Sequence, residues 1–561
     1  MTYDFIVVGA GPAGTKVATR LANSRAAPKV LLIEGGGNMS EPKDRLLFDR
    51  WTTFMEYPRL KYDYYSEPQK SLGDRVLPCT SGKGLGGSSA INFSAWTIGP
   101  KADYDLWAKL VDDESFNWEH AQRRLKAIER YDFDLDTEYQ GYSIPDRNVR
   151  GTDGRVNIEL PTIWESTVIP QLDGFVAAGW RLNGDLNNGF PLGIGALPST
   201  SRKAIRETAA SALLEHVPSN LEVLTDSQVE RIIFDGARAV GVESNGKQYK
   251  ASKEVIISSG SVNTPKLLLL SGVGPAQDLT KLGIALVSDV HGVGSNLQDH
   301  YLCCLTYELK PEASDWTQLP KGEAEMAAAR DAVVKKRSGP LASLTNLLVM
   351  GYSQDEETLK SAEFAALPPA VQEYIRDPTV PTREIITHNP SLVPGVDPDK
   401  YYLCVVTLGM VPQSRGRVFI TSTDPFVAPH IDLGYCQHPF DRRNMVESLR
   451  ATMHDMEHPK LSQFVQKPWR IPKSDSDEDI WDFAKGDIAS GYHLSCTCKM
   501  GQETDDMAVV DTKFRVKGTQ GLRVADMSVM PFTPNAHTMA WAYMIGEVAA
   551  EKLIEDYELD K

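Results

Sequence analysis

Three glycines and one acidic residue near the start of the chain have the spacing of a dinucleotide-binding turn. Gly9, Gly11 and Gly14 form the pattern G-x-G-x-x-G, and Glu34 follows twenty residues after the last of them. In such a turn the first glycine allows a tight bend, the second lets the backbone approach a pyrophosphate, and the third lets the helix pack close to the strand. Free N–H groups at the helix start bind the phosphates, and the acid accepts hydrogen bonds from ribose. The pattern predicts dinucleotide binding but leaves NAD and FAD as alternatives.

The predicted elements around these residues have the order that such a site requires. Residues 3–8 read as a buried strand, residues 15–21 as a helix, and residues 29–33 as a second buried strand that leads into the acid. The order strand, glycine turn, helix, strand and acid is the dinucleotide fingerprint. Three more strands, which we expect to complete the same domain, are predicted at 220–234, 239–243 and 254–257.

Length and charge narrow the class of protein and its partners. A chain of 561 residues is too long for one compact core, so we expect two large domains, or one domain enlarged by insertions. The formal net charge of -16 argues against a nucleic-acid partner, because it promises no basic groove for a phosphate backbone. No apolar run has the length of a membrane span, so no membrane partner is expected. No signal peptide precedes residue 3, which predicts a cytoplasmic protein, with a secreted form cut from a longer chain as the alternative.

Cysteine usage predicts a reduced protein. The seven cysteines form no paired framework, and an odd number must leave at least one of them unpaired. We therefore expect buried thiols rather than disulfides. No metal site is predicted, and the oligomeric state stays open.

The remaining sequence divides into a second glycine cluster and a region of different pattern. Residues 79–92 are so rich in small residues that we expect their backbone to press against a planar ligand. From about 300 to 500 the chain changes to longer strands and polar loops, which we interpret as a substrate domain. Its proline-rich segment 377–400 is a candidate lid or entrance loop. The region also carries predicted strands at 405–410 and 417–421 and predicted charged helices near 320–336 and 355–376.

Two stretches of the chain carry the signatures of a known family. The first, Gly82 to Gly99, has the sequence GKGLGGSSAINFSAWTIG, and the second, Gly260 to Gly274, has the sequence GSVNTPKLLLLSGVG. Supporting pieces follow in order: GSNLQDH at 294–300, PQSRG at 412–416, HLSCTCKMG at 493–501 and DMSVMP at 526–531. With these motifs the chain resembles the glucose–methanol–choline (GMC) family of FAD-dependent oxidoreductases over essentially its whole length.

The resemblance implies an α/β fold class, α+β overall, with a Rossmann-like FAD-binding domain and a substrate domain built on an antiparallel sheet. It also selects FAD as the dinucleotide. Ala90 stands where some relatives bond a histidine covalently to the flavin, so non-covalent FAD is expected. The expected FAD-binding domain is discontinuous at 1–160, 195–300 and 500–561, and the expected substrate-binding domain comprises 161–194 and 301–499.

The same resemblance selects two of the eleven histidines as catalytic. His493 matches the active-site histidine of the family and is implied as the base that removes the hydroxyl proton, a task suited to the ordinary pKa of histidine. His537, ten residues before Glu547, matches a second position that is His or Asn in the family. It would orient the hydroxyl group and stabilise charge during flavin reoxidation. A sharing of these roles between the two residues is the alternative.

Further residues are implied at the cofactor and the substrate. The expected cofactor-binding set is Gly9, Gly11, Ala13, Gly14, Glu34, Gly84, Gly86, Gly87, Ser88, Asn92, Val229, Asp526 and His537. For Asp526 a helix N-cap is the alternative role. Trp96, Tyr492 and Trp541 are expected at the substrate, with core packing as their alternative. Aromatic residues around a flavin favour a flat, apolar substrate over a sugar.

The resemblance thus implies an FAD-dependent alcohol oxidase or dehydrogenase. While His493 takes the hydroxyl proton, a hydride would pass from the alcohol carbon to flavin N5 and leave an aldehyde or ketone. The electrons would then pass to oxygen, giving hydrogen peroxide, or to a quinone-type acceptor. An aryl or allylic primary alcohol is the preferred substrate. The alternatives are a dehydrogenase of sugars or choline-like alcohols, a hydroxynitrile lyase on the same fold, and a tailoring enzyme of a biosynthetic pathway.

Overall fold

The computed structural model describes most of the chain. The described residues are 2–38, 41–50, 53–54, 57–161, 164–336, 338–342, 348–388, 393, 395–397 and 399–561. They form a mixed α/β fold that contains two seven-stranded sheets and several smaller ones. The expected fold class is therefore confirmed.

The first sheet has the strand of the nucleotide turn at its centre. In spatial order its strands are Leu221–Leu224, Val30–Ile33, Thr2–Val8, Lys247–Ile257, Arg238–Ser244 and Val229–Asp235, with Leu522–Val524 added beside Lys247–Ile257. Thr2–Val8 pairs in parallel with both of its neighbours. Its apolar residues from 5 to 8 are buried, as expected for a parallel strand covered on both faces. The predicted strand at 220–234 is two strands, because Asp226 adopts a φ of 52° and bends the chain between them.

The second sheet is antiparallel and takes its strands from a different part of the sequence. In spatial order they are Val465–Arg470, Tyr301–Leu309, Tyr402–Gly409, Arg383–His388, Leu348–Ser353 and Gly193–Leu197, with Ala489–Ser490 added beside Tyr301–Leu309. The predicted strand at 405–410 lies largely within Tyr402–Gly409. The other predicted strand, at 417–421, corresponds to Arg417–Phe419, which pairs with His430–Asp432 outside this sheet.

The segment predicted as a lid, 377–400, is in part an interior strand. Arg383–His388 lies between two hydrogen-bonded neighbours, and most of its residues are buried. For these residues the prediction is wrong, because the prolines of the segment lie before and after 383–388 and none lies within it. Residues 389–392, 394 and 398 lie outside the described residues.

Helices and short strands surround the two sheets. Besides the two helices discussed below, the α-helices are Lys101–Val111, Trp118–Ile128, Val168–Ala177, Ala209–Leu213, Gly260–Leu270, Ala276–Lys281, Glu323–Lys336, Glu356–Lys360, Ala362–Ala365, Pro369–Ile375, Pro439–Glu457, Pro459–Ser462 and Asp477–Asp487. The short strands are Lys61–Tyr62, Ser81–Gly82, Glu129–Tyr131, Val156–Glu159, Ser199–Arg202, Ile205–Arg206, Val273–Gly274 and Ser288–Asp289. Within the described ranges, no helix is long and apolar enough to cross a membrane.

The expected domain boundaries stay a prediction. The strand Gly193–Leu197 belongs to the second sheet and crosses the expected boundary between 194 and 195. All seven cysteines are free and buried, which confirms the expectation of reduced thiols.

The nucleotide turn depends on a close contact within itself. Gly9 has a φ of 101°, a left-handed conformation that favours glycine. The turn leads into the helix Pro12–Ala22, whose third residue is Gly14. A Cβ atom at Gly14 would lie 2.0 Å from the carbonyl oxygen of Gly9. The third glycine of the pattern therefore serves packing between turn and helix, as predicted.

A second close contact joins this helix to the C-terminal helix. Met539–Asp556 packs along Pro12–Ala22, and a Cβ atom at Gly546 would lie 2.5 Å from the carbonyl oxygen of Ala13. Glu547 forms ion pairs with two basic side chains of the first helix. The start of the C-terminal helix is thereby held near the nucleotide turn.

We expect Gly546→Ala to destabilise the folded protein by about 1–3 kcal/mol, because the added methyl group would overlap backbone atoms of the first helix. Gly141→Ala is the matched control, since a Cβ atom at Gly141 meets nothing within 4 Å. Urea unfolding of both variants beside the unchanged protein measures the difference. Equal unfolding midpoints for the two variants would contradict the packing argument.

Candidate active site

One cavity joins the nucleotide turn to the two predicted catalytic histidines. Its volume is about 740 Å³. Gly9 and His537 lie at opposite ends of the sequence and face the same space. The predicted site residues on its wall are Gly9, Gly11, Ala13, Glu34, Gly87, Ser88, Asn92, Val229, Tyr492, His493, Asp526 and His537.

The wall at the start of the first helix suits an anionic ligand. Gly11 is the N-cap residue and has no side chain that could cap the helix. The N–H groups of the first turn are therefore left for a ligand. Gly87 approaches from the second glycine cluster, and a Cβ atom on it would lie 2.7 Å from the Cα of Gly11. Two backbone segments without side chains therefore meet at the positive end of a helix dipole. This arrangement suits the binding of a pyrophosphate.

Glu34 is fixed on the wall by backbone donors. Its Oε2 accepts the N–H of Ala10 at 2.9 Å, and its Oε1 accepts the N–H groups of Gly36 at 2.9 Å and Gly84 at 3.0 Å. Burial raises the pKa of this carboxyl group, while the backbone N–H groups act to lower it. Glu34 also lies on the cavity wall, where the hydroxyl group of a ribose can reach its carboxylate oxygens.

Three glycines expected at the cofactor lie behind the cavity wall. Gly14 packs against the turn as described above. Gly84 donates its N–H to Glu34, and Gly86 donates its N–H to the carbonyl oxygen of Ala10 at 2.9 Å. The small size of these residues serves backbone packing that supports the wall, and their contact with the cofactor stays a prediction.

Asn92 and Asp526 have protein partners in addition to facing the cavity. Asn92 Oδ1 accepts a hydrogen bond from Arg206 Nη1 at 2.9 Å. Asp526 Oδ2 accepts the N–H of Gly260 at 2.9 Å, and its Oδ1 accepts the N–H of Ser528 at 2.8 Å. The second bond caps a short helix, so the N-cap alternative for Asp526 is confirmed. The capping role and the position on the cavity wall coexist.

His493 is oriented by two neighbours from the 294–300 segment. Its backbone N–H donates to Asp299 Oδ1 at 2.7 Å, and its Nδ1 lies 3.0 Å from His300 Nδ1. One of these two ring nitrogens must donate to the other. When His493 Nδ1–H is the donor, its Nε2 keeps a lone pair and can accept a proton. This Nε2 has no hydrogen-bond partner among the described residues.

Burial keeps the imidazole rings of His493 and His300 neutral. Burial and the nearby charge of His537 lower the pKa of His300 to about 3. Burial, followed by the charges of His537 and His300, lowers the pKa of His493 well below its ordinary value. Both imidazoles are therefore unprotonated near pH 7, which is the form that a base requires.

His537 faces His493 from the other side of the site, with the ring centroids 4.6 Å apart. Its Nε2 lies 2.8 Å from Oε1 of the fully buried Glu384. Its backbone N–H donates to Thr97 Oγ1 at 2.7 Å. Because Nε2 is engaged, Nδ1 is the ring nitrogen left without a partner among the described residues. One nitrogen of each histidine thus remains for a substrate.

Two of the three aromatic residues expected at the substrate lie in the core. Trp96 and Trp541 are both 0% exposed, and neither is among the residues of the cavity wall. Their indole N–H groups donate to protein acceptors, at 2.8 Å to Glu129 Oε1 and at 3.0 Å to the carbonyl oxygen of Ile98. The substrate prediction is wrong for both, because each indole finds its apolar contacts and its acceptor inside the core.

Tyr492 does line the cavity, together with rings that sequence analysis missed. The centroid of Tyr492 lies 4.9 Å from that of Phe54, Phe54 lies 6.4 Å from Phe93, and Phe93 lies 5.9 Å from His388. We call these four residues the aromatic wall. Phe93 directly follows Asn92, so the glycine cluster held a signal for it, whereas Phe54 belongs to no motif.

Sequence analysis also missed His300 as a neighbour of His493 and Glu384 as a neighbour of His537. His300 closes the motif at 294–300, so its place in the sequence held a signal. No sequence motif marked Glu384, because it lies in the segment that was interpreted as a lid.

Family comparisons cover most of the chain. Two family models, both described as GMC oxidoreductase, match residues 3–302 and 412–546, and the first alone spans more than half of the chain. An oxygen-dependent choline dehydrogenase of Photobacterium profundum is 30% identical over 568 residues, which cover 99% of this chain and 93% of that protein.

Solved structures show the same fold. A formate oxidase of Aspergillus oryzae RIB40 is similar with a TM-score of 0.88 and 25% identity, over 99% of both chains. An FAD-dependent oxidoreductase from Chaetomium thermophilum is similar with a TM-score of 0.86 and 26% identity, over 99% of this chain and 100% of that one.

The buried, neutral His300 predicts a loss of stability in acid. The unfolded chain binds a proton at this residue below a pH of about 6.5, whereas the folded protein lowers its pKa to about 3. The unfolded state therefore binds more protons, and this group lowers stability as the pH falls below 6.5. Between pH 8 and pH 5, this effect lowers the free energy of unfolding by about 2 kcal/mol.

His300→Asn removes this contribution. The difference in unfolding free energy between the variant and the unchanged protein should therefore shift by about 2 kcal/mol in favour of the variant between pH 8 and pH 5. Urea unfolding at the two pH values measures the shift, with His216→Asn at an exposed position as the matched control. A difference that is the same at both pH values would show that His300 is not held neutral.

Proposed function

The chain belongs to the GMC oxidoreductase family, and we propose that it oxidises an aryl or allylic primary alcohol, with His493 as the base. As a member it is an FAD-dependent oxidoreductase that acts on alcohols. The observation that carries the finer proposal is the meeting of His493 Nε2, His537 Nδ1 and the aromatic wall in one cavity with the nucleotide turn.

The residues on the cavity wall fit FAD. The helix start at Gly11 leaves N–H groups for a pyrophosphate, and Glu34 presents its carboxylate on the cavity wall to a ribose. When bound, FAD supplies the acceptor for the hydride of the alcohol carbon. The residues that would hold it are Gly9, Gly11 and Ala13 at the phosphates, Glu34 at a ribose, Val229 at the adenine, Asp526 near the ribityl chain, and Gly87, Ser88 and Asn92 at the ring. Non-covalent attachment, inferred from Ala90, stays a prediction.

His493 can accept the hydroxyl proton directly, while His300 and His537 fix the positions of the groups involved. His493 Nε2 takes the proton while its Nδ1–H donates to His300, so the base is held in the tautomer that it needs. His537 uses Nε2 for Glu384, which leaves Nδ1 to contact the substrate oxygen and orient it. His300 and Glu384 are positioning residues in this account.

The aromatic wall supports a flat, apolar alcohol. Phe54, Phe93 and Tyr492 present rings to the cavity, and the facing strands of the second sheet add aliphatic side chains. The aliphatic side chains are Leu302, Ile386, Val406 and Leu408. Such a surface favours an aryl or allylic group, because each ring gains by stacking on or packing edge-to-face with another.

Choline is the first alternative substrate, because a relative carries that name. Aromatic rings also bind quaternary ammonium ions, and a free carboxylate nearby would add charge attraction. Three carboxylates line the described part of the cavity wall, Glu34, Asp487 and Asp526, and each is already engaged by N–H groups or by a guanidinium group. This favours a neutral aryl alcohol over choline.

Replacing His493 by alanine should lower kcat on the best alcohol by about 10²–10⁴-fold, because the proton acceptor is lost. FAD content, measured by absorbance of the released cofactor, should stay unchanged. His216→Ala, at an exposed position, is the control. Turnover of His493→Ala within twofold of the unchanged enzyme would remove His493 as the base.

A panel of aryl, allylic, aliphatic, sugar and choline alcohols tests the substrate class. Peroxide is measured in air, and reduction of a dye is measured without oxygen, so that the electron acceptor is identified as well. We expect aryl and allylic alcohols to have the highest kcat/KM, and Phe93→Ala to lower it about 10-fold for aryl alcohols and little for aliphatic ones. Preference for choline or sugars would contradict the proposal. Cyanide release from a cyanohydrin without alcohol oxidation would identify the lyase.

A further inference from the structure

Two arginines line the same cavity as His493 at an end that reaches solvent. Arg75 and Arg470 lie on its wall together with Asp487, and we call these three residues the charged cluster. The side chain of Arg470 is 38% exposed, whereas that of Asp487 is 5% exposed. The charged cluster therefore extends from solvent into the interior, and nothing in the proposed chemistry at His493 uses it.

Counting only the residues that the structure describes, the charged cluster carries one uncompensated positive charge. Arg470 Nη2 lies 2.7 Å from Asp487 Oδ1, and Asp487 Oδ2 accepts the N–H of Cys304 at 2.6 Å. Arg75 Nη1 donates to two main-chain carbonyl oxygens near the end of the helix Asp477–Asp487, at 3.0 and 2.9 Å. Two guanidinium groups therefore share one carboxylate. This local positive charge lies in a chain whose formal net charge is -16.

Both guanidinium groups keep donors for a ligand. Arg75 Nε and Nη2 and Arg470 Nε and Nη1 have no hydrogen-bond partner among the described residues. A guanidinium group binds a carboxylate through two parallel N–H···O bonds, a geometry that its planar shape prepares. A singly charged carboxylate would balance the charged cluster, whereas a phosphate monoester would carry about two negative charges.

A continuous wall joins the charged cluster to the base. Asp487 precedes His493 by six residues, and residues 489–493 all line the cavity. Six residues span at most about 20 Å, which limits the distance between the two ends. Leu302 and Cys304 of the adjacent strand line the same stretch. Leu302, Cys304 and Ala489 make part of this stretch apolar, which favours a ligand with an apolar middle.

We propose that Arg75 and Arg470 bind the carboxylate of the substrate, which is a hydroxy acid with an apolar spacer between its carboxylate and its primary alcohol. This rests on the proposed alcohol oxidation and names the substrate class of that same site. His493 takes the alcohol proton at one end while the guanidinium groups hold the other end, so the reacting carbon is positioned from both sides. A substrate with a cationic far end is repelled.

The test compares a matched pair of alcohols on the FAD-loaded enzyme. The acids are 4-(hydroxymethyl)benzoate and the longer 4-(hydroxymethyl)cinnamate, and the neutral partner is 4-methylbenzyl alcohol. We expect at least one acid to have the higher kcat/KM, and Arg470→Gln to lower it for that acid by about 10–100-fold, as for loss of a hydrogen bond to a charged group. The ratio of kcat/KM for that acid to kcat/KM for the neutral alcohol should fall with it. Arg202→Gln is the matched control, because Arg202 is exposed and away from the cavity wall.

Asp487→Asn separates a binding role from a structural one. It removes the carboxylate that offsets the charge of the two arginines, so the ratio of kcat/KM for the acid to kcat/KM for the neutral alcohol should rise about 3–10-fold. If the charged cluster only stabilised the helix end, Asp487→Asn would lower both values together. FAD content and the thermal unfolding midpoint confirm that each variant is folded.

The outcomes distinguish this proposal from the proposed function. If the neutral alcohol is oxidised but neither acid is preferred or sensitive to Arg470→Gln, the carboxylate site is wrong and the alcohol oxidation stands. If no alcohol is oxidised, the proposed function fails, and a benzoate titration followed by FAD absorbance decides the site. Weaker benzoate binding in Arg470→Gln supports the site, and equal binding overturns it.

Discussion

Close approach of backbone to backbone at glycine is the constraint on which this structure depends. The nucleotide turn touches its own helix through Gly9 and Gly14, and that helix touches the C-terminal helix through Gly546. His537 lies just before the C-terminal helix, so its distance from the turn is set by a contact that has no room for a side chain. The second sheet brings His493 to the same place through strand pairing instead. The two halves of the site are thus positioned by different kinds of packing.

Within the site, desolvation decides which charges can exist. Burial raises the pKa of Asp299 to about 6 and lowers that of His300 to about 3, so in both cases the charged form is disfavoured. Asp299 contacts the backbone of His493, while His300 contacts the ring. The orientation of the base and its tautomer are therefore controlled by separate neighbours. Adjacent residues of one short motif perform both tasks.

The parts of the site that lie in contiguous motifs could be predicted from sequence, and the parts assembled by long-range pairing could not. The glycine turn was predictable because its strand, helix and acid are neighbours in the chain. Trp96 was misplaced because sequence position near a motif does not show which side of the backbone faces the ligand; Phe93, three residues earlier, is the ring on the cavity. Glu384 and Arg470 reach the site on strands of the second sheet, and no local pattern marks them. The predicted strand at 220–234 was too long because a single left-handed residue interrupts it.

The seven free cysteines bear on how long the enzyme would survive its own product if oxygen is its electron acceptor. An oxidase that releases peroxide exposes its side chains to an oxidant that attacks thiolates far faster than thiols. Cys79 and Cys304 line the cavity, and burial raises the pKa of Cys79. The pKa of Cys304 lies well above its ordinary value through its contact with Cys404 and through burial. If oxygen is the acceptor, the thiols nearest the source of peroxide are in their unreactive form, and the same burial that shapes the cavity would limit self-inactivation over many turnovers.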